Sequence, residues 1–159
     1  MPLLQPTLKA EILKITAPTP PATFPSNNEE VATAWSEAVG NYFREAINPP
    51  GAVATTVIAQ AAFKLAMKTQ LDIATAASNP VLGAIAIDLG LAAFVLVPGL
   101  NVIPAIVPPP VPPVVATWMA AQIATPAGVT ADAAAETLSM YMDLWFRTGT
   151  TLVSPYTWQ

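Results

Sequence analysis

Residues 53–74, VATTVIAQAAFKLAMKTQLDIA, decide the fold. Thr56, Gln60, Lys64 and Lys68 recur at every fourth position and draw one thin polar line along an α-helix. Asp72 continues that line and can pair with Lys68 one turn away. Almost every other side chain is Ala, Val, Ile, Leu, Met or Phe. A helix with so narrow a wet edge is expected to be covered by protein on most sides.

The flanking segments are helical too. Asn79-Pro80 offers an N-cap and a first-turn proline for a helix running to about Val97, apolar all round apart from Asp88. Gly83 and Gly90 share a face of it, on which a neighbour can come close. Upstream, Ser26 and Glu29 form a capping-box pattern that opens a helix to roughly Ile47. Its dry stripe is Val31, Trp35, Ala38, Val39, Tyr42 and Ala46, largely opposite Glu30, Glu37, Asn41, Arg44 and Glu45. Residues 5–15 predict a short helix with Leu8, Ile12 and Ile15 on one face. Pro18, Pro20, Pro21 and Pro25 then make a stiff extended arm.

Towards the C-terminus, residues 114–124 read as a helix carrying Trp118 and Met119. A final helix starts at Thr130 as N-cap and ends at Phe146 or Arg147. Asp132, Glu136, Ser139, Asp143 and Arg147 are its wet stripe; Ala134, Leu138, Tyr141 and Trp145 are its dry one. Gly149 is placed to cap it, and the β-branched and aromatic tail beyond reads as extended.

Between Pro98 and Pro113 stand seven prolines, a polyproline II signature. Two P-x-x-P spacings, Pro109/Pro112 and Pro110/Pro113, lie within it. Their flanks, Ile106-Val107 and Val114-Val115, lack the basic residue a signalling ligand offers. The run reads instead as a brace, filling grooves between helices with Val and Pro side chains. No internal repeat is evident. The expected fold is therefore all-α, a bundle of about five helices with no sheet of more than two strands. Its parts are an N-terminal arm with a short helix (1–25), a helical domain (26–147) containing the brace (98–113), and an extended tail (148–159).

Composition narrows the function. The chain has 159 residues, 53% hydrophobic and only 10% charged, with 18 prolines and a mean hydropathy of +0.51. The charged share is less than half the usual quarter or so, which points to an obligate interface or a bilayer. Six Lys and Arg, scattered along a chain of net charge −4, do not make a nucleic-acid surface. No cysteine and no histidine is present, which removes thiolate nucleophiles, disulfides, the commonest general base and the commonest transition-metal ligand. Lys9, Glu11 and Lys14 interrupt the N-terminal stretch where a signal peptide keeps its apolar core.

The remaining polar residues have plain structural readings. Asp132 and Glu136, i and i+4, are spaced to share a hard cation, but nothing resembles a calcium-binding loop and a solvated helix face accounts for them. Glu29 and Glu30 suit the positive end of their helix. The serines lack a base and a G-x-S-x-G turn, and the glycines form no phosphate loop. Asp88 reads as a rim residue or the partner of a basic side chain such as Lys64 or Arg147, against an intramembrane role. No enzyme, cofactor or metal is expected.

Residues 81–99 are the one plausible membrane span. Against it stand Asp88 at mid-span, costing roughly 2.5–3.5 kcal/mol there, and the lack of flanking Lys or Arg.

The string Asp143-Leu-Trp-Phe-Arg-Thr-Gly-Thr follows Ala-rich helices, a Pro-Pro-Pro stretch and a helix holding Ala-Trp-Ser-Glu-Ala-Val. Together, over roughly residues 30–159, these resemble small Ala- and Pro-rich structural proteins of tailed bacteriophages of aquatic bacteria. The resemblance implies a virion component of the tail, baseplate or capsid, assembled in the host cytoplasm. Its partners would be other virion proteins or copies of itself, and no catalytic residue carries over. Leu152, Val153, Tyr156 and Trp158 in the tail, with Val111 and Trp118, are the expected partner contacts. A holin-like membrane protein spanning at about 81–99 is the alternative, and an accessory factor of a secretion or injection apparatus a third.

Overall fold

A computed structural model describes residues 4–44, 56–96, 106–107, 130–147 and 150–151. Its elements in chain order are α1 (Gln5–Thr16), α2 (Asn28–Arg44), α3 (Val57–Ala76), α4 (Pro80–Leu96), β1 (Ile106–Val107), α5 (Ala131–Arg147) and β2 (Thr150–Thr151). The fold is all-α. Its one ladder among the described residues is antiparallel, pairing Ile106 with Thr151 and Val107 with Thr150.

The helix starts and stops follow from local chemistry. Asn27, not Ser26, is the N-cap of α2: its carbonyl takes the first helical bond from Val31 and its Oδ1 accepts from the Glu30 backbone N–H. Glu30 reaches back to the Ser26 backbone N–H at 2.8 Å and to the Ser26 hydroxyl at 2.9 Å. The cap thus sits one residue later than Ser26, with the return bond of Glu30 going to Ser26 and not to Asn27, and Glu29 is left to meet Lys64 of α3 at 2.5 Å. Thr130 caps α5 as its sequence predicts, accepting from the Ala133 N–H at 3.1 Å. Between α3 and α4 the chain reverses through a Schellman motif. Asn79 N–H bonds the Ala74 carbonyl and Ser78 N–H the Thr75 carbonyl, with Ser78 at φ 49°.

The short reversal lays α4 back along α3, which packs in turn against α2; α1 packs on α5 and α2. Each of four helices sends one phenylalanine to the centre: Phe43 from α2, Phe63 from α3, Phe94 from α4 and Phe146 from α5. Phe94 meets the other three edge-on, at centroid distances of 5.7, 6.5 and 6.2 Å. Such geometry brings the positive ring edge to the negative ring face. Leu8 and Ile12 of α1 are fully buried in the same cluster. The N-terminal helix therefore belongs to the core, in contrast to the arm that residues 1–25 predict, because those two side chains find the α2/α5 groove in their own chain.

Two glycines let helices close up. A Cβ on Gly40 would lie 1.7 Å from the Gln60 amide nitrogen, and one on Gly90 would lie 2.9 Å from the Phe63 ring. Gly83 has nothing within 4 Å of that position, so only Gly90 of the expected pair marks a close approach.

Candidate interaction surface

The polar side chains come first, because they are where chemistry would reside. On α5 the expected wet stripe is half internal: Asp132 and Glu136 are exposed, whereas Ser139 and Asp143 are buried. Asp143 is held from two sides. Arg147 donates through Nε at 2.7 Å and Nη2 at 3.1 Å, and the buried Tyr42 hydroxyl of α2 donates to the same carboxylate. Burial first, and then the bond to Asp143, push the Tyr42 phenol well above the ordinary tyrosine range, although Arg147 opposes the shift. Tyr42 is thus a fixed donor, and the triad works as a clamp between α2 and α5. Its signal in the sequence is a tyrosine inside an apolar stripe, whose hydroxyl must find an acceptor when buried.

The carboxylates of Asp132 and Glu136 are also engaged. The Lys9 ammonium of α1 sits 2.9 Å from Asp132 and 3.0 Å from Glu136, and these bonds raise its pKa, Asp132 contributing most. Gln5 donates to Ser139 Oγ at 2.6 Å beside them. The pair that is spaced for a cation therefore steers α1 onto α5. Among the described residues no group of three or more acidic, His or Cys side chains is placed to hold a metal ion. A shallow cleft of about 350 Å³ lies between the end of α1 and the Pro18–Ala22 stretch, where Lys14 is already paired with Glu11. It gathers no convergent polar groups.

What α3 shows to solvent is different. Lys64 reaches Glu29, Lys68 holds Asp72 at 2.6 Å, and Asp72 also accepts from Asn28 of α2 at 2.9 Å. The line of Gln60, Lys64 and Lys68 is therefore the seam against α2, and Thr56 at its start is buried. Opposite the buried Ala59, Phe63 and Met67, the helix exposes Val57 (75%), Ile58 (63%), Leu65 (69%) and Ile73 (51%). Within its own chain the helix is covered on the sides that meet α2 and α4, and because its charges bind α2 these apolar side chains turn outward. Leu89 and Leu96 of α4, and Met140, Tyr141 and Leu144 of α5, are exposed as well.

No described helix is long and apolar enough to cross a membrane. α4 lies against α3, with Ala86, Ile87, Leu91 and Phe94 in the core and Asp88 buried at 8% exposure. The expected contacts at Val111, Trp118, Leu152, Val153, Tyr156 and Trp158 lie outside the described residues, as do most of the brace and the helix expected at 114–124. Ile106 and Val107 lie in the proline-free stretch between Pro104 and Pro108, and at that point the brace forms a β-ladder. Its partner is the start of the tail in the same chain, Thr150–Thr151. Compared with protein-family models, curated proteins and solved structures, the chain matches none of them.

Proposed function

We propose that this chain is a non-enzymatic structural component of a large protein assembly, most concretely a tail, baseplate or capsid accessory protein of a tailed-phage virion. The exposed apolar face of α3 carries the reading. Side chains as large as Val, Ile and Leu, more than half exposed along one helix, form the kind of patch that marks a site of association. The polar residues point the same way. Lys9, Lys64, Lys68 and Arg147 each hold a carboxylate that ties or stiffens helices, and Asp143 is occupied by Tyr42 and Arg147. The virion setting comes from the resemblance at Asp143-Leu-Trp-Phe-Arg-Thr-Gly-Thr and the proline-rich layout.

Fractionation of cells producing the protein, with and without particle assembly, tests the reading. The chain is expected to sediment with particles or a soluble complex and to stay there in mild detergent. Recovery in the membrane pellet, released only by detergent, would replace this reading with the holin-like one.

A further inference from the structure

We propose that α1 is an exchangeable helix: in the assembly it leaves the α2/α5 groove of its own chain and fills the same groove of a second copy, which returns its own α1. The exchange rests on the assembly reading, which brings copies close enough for it.

The closed chain displays the fit. Leu8 and Ile12 are 0% and 1% exposed in the groove. Around them the polar partners are complementary in charge and in hydrogen bonding. Lys9 meets Asp132 and Glu136 at 2.9 and 3.0 Å, Gln5 donates to the buried Ser139, and Asn41 of α2 donates to Glu11 at 3.2 Å. A second copy brings the identical helix, so exchange needs no new surface and strands no charge. Reciprocal exchange closes a two-fold pair and leaves no groove open.

The connection permits it. Residues 17–27 hold Pro18, Pro20, Pro21 and Pro25, and none of the stretch is buried. Among the described residues, 18–25 make one backbone bond, from the Ala22 N–H to the Thr19 carbonyl at 3.0 Å, which closes a turn inside the linker itself. Opening that turn breaks no hydrogen bond to the helical body. Extended at about 3.1 Å per residue, the linker reaches roughly 34 Å, against about 18 Å for α1. Its prolines keep it stiff, so straightening changes its freedom little. With 12 residues, α1 is too short to hold as a helix alone and folds only in a groove, its own or another's.

Concentration sets the balance. Exchange preserves the contacts of α1, so the two forms differ in the linker and in the cost of joining two copies. A short tether keeps α1 near its own groove at an effective concentration on the order of millimolar. The closed chain therefore prevails at low micromolar concentration, and exchange prevails where an assembly packs copies more densely than the tether does.

Charge reversal tests the exchange. In one full-length variant, Lys9→Glu sets a carboxylate against Asp132 and Glu136. In another, Asp132→Lys/Glu136→Lys sets two ammonium groups against Lys9. Each variant is mismatched when closed, whereas reciprocal exchange between them matches both grooves. One variant is tagged and mixed with the other, untagged, at about 0.1 mM, roughly tenfold below the effective concentration of the tether. Capture of the untagged chain is compared with that from tagged and untagged copies of either variant alone. The complementary mixture is expected to give about tenfold more capture. Equal capture in all three, or none in any, overturns the exchange. Equal and substantial capture means that copies associate through another face, so the exchange falls and the assembly reading stands. Circular dichroism accompanies each sample. A variant that loses helicity alone is expected to regain it in the complementary mixture, and a mixture that does not regain it overturns the exchange as well.

Discussion

Ser78 sits at φ 49°, a backbone region that costs a non-glycine residue about 1–2 kcal/mol. It is held there because the Schellman bonds of Ser78 and Asn79 close α3 immediately before the Pro80 start of α4. Ser78→Gly relieves the strain but gives the unfolded chain more freedom. The net expectation is a gain of about 0.5–1 kcal/mol, seen as a melting midpoint raised by a few degrees. A lower midpoint would mean that the Ser78 side chain itself holds the turn. The titrating residues set a second expectation. Glu30 is lowered chiefly by its bond from the Ser26 backbone, and Asp72 by its bond from Lys68. A lowered acid stabilises the fold above its unfolded pKa of about 4 and loses that contribution as pH falls. Lys9, Lys68 and Tyr42 are raised, so their contributions are complete below about pH 10 and are lost as pH rises past it. Stability should therefore be flat from about pH 6 to 9 and fall beyond 10, less steeply in Tyr42→Phe. That variant should cost about 1–2 kcal/mol at neutral pH, since Arg147 still holds Asp143. Thermal melts across pH decide it, and a midpoint moving many degrees between pH 6 and 9 would expose a titrating group outside this set.

Helix α4 offers a contrast within one element. Alanine improves helix propensity over glycine by about 0.8–1.0 kcal/mol wherever space allows. At Gly83 nothing lies within 4 Å of the new methyl group, so Gly83→Ala should stabilise by about that amount. At Gly90 the methyl meets the Phe63 ring at 2.9 Å, and that ring is fully buried against Phe94. Overpacking there costs about 1–3 kcal/mol, so Gly90→Ala should destabilise despite the better propensity. Chemical denaturation of the two variants checks the opposite signs, and equal signs would contradict the α3–α4 packing. The five described helices were legible from residue pattern, whereas the β-ladder at Ile106–Val107 stands where polyproline II was expected. Asn79-Pro80, Thr130 and the proline stops bound α4 and α5 nearly where the structure has them, since caps and stops act over three or four residues. What pattern did not reveal is rotation. Ser139 and Asp143 continue a polar stripe in sequence yet are buried, because Gln5 and Tyr42 arrive from elsewhere in the chain to satisfy them. Phe43 and Phe146, each beside a residue of the expected dry stripe, turned out to belong to the central ring cluster for the same reason.

At the scale of the whole molecule, an apolar surplus is visible in composition, but its place is not. The long polar line of α3 suggested a thin wet edge on an otherwise covered helix. Glu29 and Asn28 draw that edge against α2, and the surplus emerges on the opposite side as Val57, Ile58, Leu65 and Ile73. The tail suggests an arm reaching a neighbour; its first residues, Thr150 and Thr151, pair with Ile106 and Val107 of their own chain, and residues 152–159 lie outside the described ones. The central claim is that another protein surface covers this face. Sedimentation velocity of the full chain and of Leu65→Glu at low micromolar concentration tests it most directly, with circular dichroism confirming equal helicity. The native chain is expected to sediment above its monomer mass of 16.6 kDa, and Leu65→Glu at that mass. A native chain that stays a well-behaved 16.6 kDa monomer as concentration rises would contradict the account.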